Sequence, residues 1–108
     1  LVEQLRTHQI PLTVCPLSNI KLNVFSSMSD HNIAELNRAG LCVTINSDDP
    51  AYFGGYINDN YAAVQHAFDL DQTDLSQYAI QSVQASFASS KRKRLLRQEI
   101  DEVMSCYI

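Results

Sequence analysis

Two aspartates side by side, Asp48 and Asp49, stand in the run Ser47-Asp48-Asp49-Pro50, directly after the apolar stretch at residues 41–45. Such a stretch, apolar on both faces, predicts a buried parallel strand. Charged groups at the C-terminal end of such a strand project into the crevice where barrel and open-sheet enzymes place their sites. Being adjacent, the two side chains point in different directions, so one can bind a metal while the other meets a substrate. The same four residues are also good turn chemistry, with aspartates bonding to nearby backbone amides. Spacing alone accommodates both readings.

Phe53-Gly54-Gly55-Tyr56 follows at once. Paired glycines between aromatics let backbone approach a ligand while rings exclude water. The run lacks the spacing of a dinucleotide fingerprint or a phosphate loop, so no nucleotide phosphate is assigned to it. Cys15-Pro16-Leu17-Ser18-Asn19 holds the matching position after the preceding predicted strand, and its polar groups are expected to line the same mouth. No partner that would activate Cys15 is identifiable, so it reads as a structural thiol. His8, His31 and His66 show neither H-x-H nor H-x-x-x-H spacing and none is a convincing zinc ligand. His31, at a loop–helix junction on the site side, is the one placed where it could touch a ligand.

The elements that position these residues follow from periodicity. Residues 1–9 read as the end of an amphipathic helix stopped by Pro11, and residues 12–15 as a short buried strand closed by Pro16. Residues 17–28 read as loop. Ser29 or Asp30 is placed to cap a helix over 31–38, and Gly40 to end it in a left-handed conformation. With the strand at 41–45, this predicts a βαβ unit and two neighbouring parallel strands. After a turn region at 46–56, helical spacing of apolar residues predicts three helices: one carrying Ile57, Tyr61, Val64 and Phe68, one carrying Leu75, Ala79, Ile80, Val83 and Phe87 with Thr73 as cap, and one carrying Leu96, Ile100, Val103, Met104 and Tyr107 after Ser89-Ser90.

The chain has 108 residues, enough for one core and one domain. Its 45% hydrophobic content is too high for a disordered chain. A net charge of −4 argues against a dedicated nucleic-acid binder, so small substrates are expected. Five of the eight basic residues are Lys91, Arg92, Lys93, Arg94 and Arg97, read as the solvated face of an amphipathic helix. Three cysteines without C-x-x-C spacing suit a reducing cytosol, and nowhere do about 18 apolar residues run together to cross a membrane. The chain starts with Leu, not Met, and is read as a segment of something longer.

The runs CPLSNIKLNV (15–24) and INSDDPAYFGGY (45–56) closely resemble the adenosine and adenine deaminase family, in wording most like its adenine deaminase branch. Ala85-Ser86-Phe87 before a basic–acidic helix is similar to that family's ending, and the resemblance spans nearly the whole chain. It implies an α/β fold, namely the C-terminal portion of an eight-stranded β/α (TIM-type) barrel comprising about the last two strands and the C-terminal helices. It further implies that Asp48 is a zinc ligand that orients the metal-bound hydroxide, and that Asp49 hydrogen-bonds a purine ring nitrogen. The family's H-x-H, its third zinc histidine, its catalytic glutamate and the histidine beside the attacking water match segments before Leu1. His31-Asn32 stands where a His-Pro pair is expected.

The resemblance therefore implies a hydrolase segment whose zinc-dependent parent deaminates adenine in cytoplasmic purine salvage, and which alone neither binds zinc tightly nor turns adenine over. Rival readings are an adenosine deaminase segment, a non-catalytic remnant or interaction module that self-associates through exposed barrel edges, and an unrelated α/β hydrolase using the two carboxylates as acid and base. No nucleophile elbow or oxyanion loop supports the last.

Overall fold

The computed structural model describes residues 1–106; Tyr107, assigned from the sequence to the last helix, lies outside the described residues. Helix α1 (Val2–Thr7) leads to strand β1 (Leu12–Val14), and helix α3 (Ile33–Arg38) to strand β2 (Val43–Ile45), with a short helix α2 (Pro16–Lys21) between β1 and α3. The strands pair in parallel, Leu12 opposite Val43 and Val14 opposite Ile45, as the β-helix-β pattern predicts. All three residues of β2 are buried, whereas Thr13 in β1 is exposed. Four helices follow: α4 (Pro50–Phe53), α5 (Ile57–Phe68), α6 (Gln72–Ala85) and α7 (Ser90–Ser105).

The core gathers around β2. Val14, Ile33, Leu41, Val43, Ile45, Val64 and Tyr78 form one buried cluster, drawn from both strands, α3, α5 and α6. Its strand registry also fixes which edge each backbone group faces. Leu12 N–H donates to the Cys42 carbonyl and Asn46 N–H to the Val14 carbonyl, both at 2.8 Å, so even-numbered residues of β2 face β1 and Val43 and Ile45 face the far edge. There the Val43 carbonyl accepts from the side-chain amide of Gln81 on α6. No other strand flanks the pair among the described residues. Among them, too, no helix is long and apolar enough to cross a membrane.

Several sequence expectations are corrected. Residues 17–28 are not all loop: Pro16 stops β1 but also opens α2 at its first position, where its missing N–H costs nothing and its fixed φ is already helical. The turn region after β2 contains α4, for the same reason at Pro50. Helix α3 begins at Ile33, not His31, because Asp30 is occupied by the Ser26 and Ser27 hydroxyls at 2.8 and 3.0 Å within its own turn. Neither Ser29 nor Asp30 caps it; the His31 ring does, Nδ1 accepting the Ile33 N–H at 3.0 Å. Finally, Asp71 rather than Thr73 caps α6, through a reciprocal pair in which Asp74 N–H meets Asp71 Oδ1 and Asp71 N–H meets Asp74 Oδ2. That helix ends at Ala85, leaving Phe87 fully exposed.

Candidate active site at the strand ends

The C-terminal ends of β1 and β2 lie side by side, so the segments that follow them share one rim. After β2, Asn46 extends the ladder and ties it off, its side-chain amide donating to Thr44 Oγ1 at 2.9 Å. The chain then turns sharply at Asp48, which adopts φ +56, a left-handed conformation that non-glycine residues other than Asn and Asp seldom take. The turn sends the exposed Asp48 carboxylate back across the rim, where Oδ2 accepts from Ser18 Oγ at 2.9 Å. Ser18 lies on α2, the helix after β1, and is almost wholly buried. One strand end thus supplies the carboxylate and the other fixes its direction.

Asp49 points elsewhere. Its Oδ1 accepts the Tyr52 N–H at 3.3 Å and caps α4. The two carboxylates therefore diverge, as their adjacency predicts: Asp49 closes a capped turn, and Asp48 is presented at the strand end. Cys15, the residue before α2, faces the same rim. Burial pushes its thiol pKa up, the Asp48 charge pushes it further, and a hydrogen bond from the Asp48 backbone opposes them. A shift in this direction favours the thiol over the thiolate, in keeping with a structural Cys15.

The glycine pair positions α4 and α5 against α2. Gly54 ends α4 at φ +81, and Gly55 is buried so closely that a Cβ there would lie 2.3 Å from Leu17 Cδ1. Tyr56 is exposed and Phe53 half-buried, so the aromatics flank this junction without enclosing a chamber. Asn60, on α5, is fully buried and joins the same elements: its Oδ1 accepts the Leu17 N–H at 3.1 Å, and its Nδ2 donates to the Tyr56 carbonyl at 3.0 Å. The sequence reading passed over Asn60. Its signal was a polar residue four before Val64, on the inward face of the helix.

The histidines do not complete a metal site. His8 and His66 are exposed on α1's end and α5. His31 is buried, with Nε2 on Asn19 Oδ1 at 2.9 Å and Nδ1 accepting from Ile33, so both ring nitrogens are engaged within the chain. It touches the rim only through Asn19 and so braces helix α2. Among the described residues no three His, Cys, Asp or Glu side chains converge to hold a metal ion. Zinc needs about four donors, and the donor set of this chain does not fit a zinc site by itself.

A short parallel β-helix-β unit with an acidic turn at its strand ends defines a segment of an α/β enzyme, and comparison with known proteins sharpens this. Residues 1–103 match the family model described as adenosine deaminase, and the chain belongs to that family. It is 53% identical over 104 residues to an adenine deaminase of Hahella chejuensis, covering 96% of this chain and 31% of that protein. The crystal structure of an adenine deaminase from Arthrobacter aurescens superposes with a TM-score of 0.94 at 41% identity, over 96% of this chain and 32% of that one. The N6-methyl-AMP deaminase from Arabidopsis thaliana gives 0.81 at 27% identity, over 93% and 30%. The chain thus spans about a third of the length of the relatives it matches.

Proposed function

We propose that this chain is the C-terminal segment, residues 1–108 as one unit, of a hydrolase that removes the exocyclic amine of adenine as ammonia and leaves hypoxanthine, in cytoplasmic purine salvage. Its two strands are the last two of an eight-stranded β/α barrel, which typically takes ~250 residues. Asp48 is the zinc ligand this segment contributes, and Asp49 the carboxylate that meets a purine ring nitrogen. The remaining zinc donors and the proton-transfer groups belong to the part of the relatives' length that this chain does not span. The observation that carries the reading is the Asp48 carboxylate, turned over the strand ends by a left-handed backbone and held there by Ser18.

Adenine is favoured over adenosine by the naming of the relatives at about half identity. Alone, the chain is inactive: one aspartate cannot replace a zinc coordination sphere. The test is a transplant. The C-terminal third of an adenine deaminase is replaced by this chain, and zinc content and turnover of adenine and adenosine are measured beside the isolated chain. The chimera is expected to hold zinc and deaminate adenine, to lose both with Asp48→Asn, and to keep zinc but lose adenine affinity with Asp49→Asn. A folded, zinc-loaded chimera inert toward adenine would sink the proposal, as would turnover by the isolated chain.

A further inference from the structure

Helix α2 carries Ser18, the donor that aims the Asp48 carboxylate, yet it has little of its own to hold it in place. Its six residues are too few for an independently stable helix, and its first residue, Pro16, offers no N–H. Cys15 before it makes no capping bond with its side chain. The first N–H of the helix is therefore that of Leu17, the residue next to Ser18.

That group is capped from another helix. Asn60 on α5, 43 residues on, accepts the Leu17 N–H on Oδ1 at 3.1 Å, while its Nδ2 donates to the Tyr56 carbonyl at 3.0 Å. One partner needs an acceptor and the other a donor, and the side-chain amide supplies both. Asn60 is fully buried, so water does not stand in for either bond. The two helices come this close because position 55 is glycine, where any Cβ would run into the Leu17 side chain. On the other side of Ser18, Asn19 is tied by its side chain to His31 Nε2 at 2.9 Å. Ser18 thus stands between two anchored neighbours, and only Asn60 holds the backbone.

We propose that Asn60 is a positioning residue for the Asp48 carboxylate: by capping α2 it fixes where Ser18 Oγ stands, and so where Asp48 is held. Among the described residues Asn60 makes no hydrogen bond to Asp48 itself, so its effect on the site passes through Ser18. The inference rests on the reading of Asp48 as a zinc ligand and adds to it the group that sets the ligand's place.

A double-mutant cycle between Asn60→Leu, which keeps the branched shape and removes both bonds, and Ser18→Ala tests it in two settings. In an adenine deaminase chimera carrying this chain, Asn60→Leu should weaken zinc at least ~tenfold, and no further once Ser18 is alanine. Val64→Ala, a core change on the same helix, should lower the urea midpoint without moving zinc affinity. In the isolated 108-residue chain, the loss of urea midpoint in the double variant should fall short of the sum of the single losses. Where Asn60→Leu does not fold, Asn60→Asp, which still accepts from Leu17, takes its place and should hold zinc as the natural chimera does. Zinc losses that add in the cycle, or that Val64→Ala reproduces, overturn the proposal in favour of general loosening. Unchanged affinity in Asn60→Leu, or zinc lost from a folded Asn60→Asp chimera, also overturns it. A natural chimera that binds no zinc sinks the reading of Asp48 as ligand, and the isolated chain then decides alone: additive losses there overturn the positioning role.

Discussion

Ser18 Oγ donates to Asp48 Oδ2 at 2.9 Å, joining the ends of two neighbouring parallel strands through side chains 30 residues apart. Ser18 is buried while Asp48 is exposed, so the fixed partner orients the free one. Ser18→Ala removes that donor without leaving a cavity. A hydrogen bond to a charged group contributes about 1.5–3 kcal/mol, the lower end applying to this partly exposed one, so urea unfolding of the chain should shift by about 1.5 kcal/mol. In a zinc-loaded chimera carrying this segment the loss should weaken zinc about 10–100-fold, as for other groups that orient a metal ligand. Unchanged zinc affinity would show that Asp48 does not need Ser18.

Asp48 itself tests the backbone. At φ +56 it holds a conformation that Asn tolerates and a β-branched residue does not. Asp48→Asn, which keeps the turn and only weakens the bond to Ser18, should cost about 1 kcal/mol or less, while Asp48→Val loses both the bond and the backbone fit and should cost roughly 2–4 kcal/mol. Equal stability of the two variants would mean the turn is not set by this residue.

Gly55 and Leu17 make a sharper pair. A methyl group at 55 lands 2.3 Å from Leu17 Cδ1, so Gly55→Ala should destabilise by about 1–3 kcal/mol through overpacking. The double variant Gly55→Ala/Leu17→Ala should be less unstable than the sum of the single ones, because the shortened side chain vacates the space. Additive losses in denaturant titrations would refute close approach as the cause. Gly54, by contrast, has open space but φ +81, so its replacement costs backbone strain and no change at Leu17 relieves it.

The pattern of strand, helix and strand was legible because both strands are short apolar runs bounded by Pro and Gly, and Gly40 ends α3 at φ +85 as its position predicts. Helices α5, α6 and α7 were legible in their four-three spacing. The short helices α2 and α4 were not, because Pro16 and Pro50 signal the end of one element and the start of another with the same residue. Caps failed where several Ser, Thr and Asp compete: only folding decides that Asp30 closes its own turn and that His31 caps α3. At the site, the acidic pair and the Cys15–Asn19 segment were readable from strand-end logic. Asn60 and Gln81 were not, since a buried amide is distinguished from an exposed one only by the partners that long-range packing brings to it.

His31 gives the chain a pH response whose sign follows from its bonds. Nδ1 accepts the Ile33 N–H, so the proton of the neutral ring sits on Nε2 and is given to Asn19 Oδ1. Protonation would set a second N–H against that of Ile33, in a buried setting with the Phe25 ring 4.4 Å away, centroid to centroid. Burial lowers the His31 pKa accordingly. The unfolded imidazole takes up its proton near ~6.5 and the folded one resists, so the unfolded state binds more protons below that pH. Stability is thus fully present above about pH 6.5 and falls as pH drops through the interval down to the lowered folded pKa, by at most ~1.4 kcal/mol per pH unit. Urea midpoints measured from about pH 7.5 to about pH 5 should decline more for the natural chain than for His31→Gln, whose amide does not titrate. The difference between the two curves isolates His31 from the carboxylates common to both. Parallel curves would show that His31 is protonated in the folded chain as readily as in the unfolded one, and that its bond to Ile33 does not hold in solution.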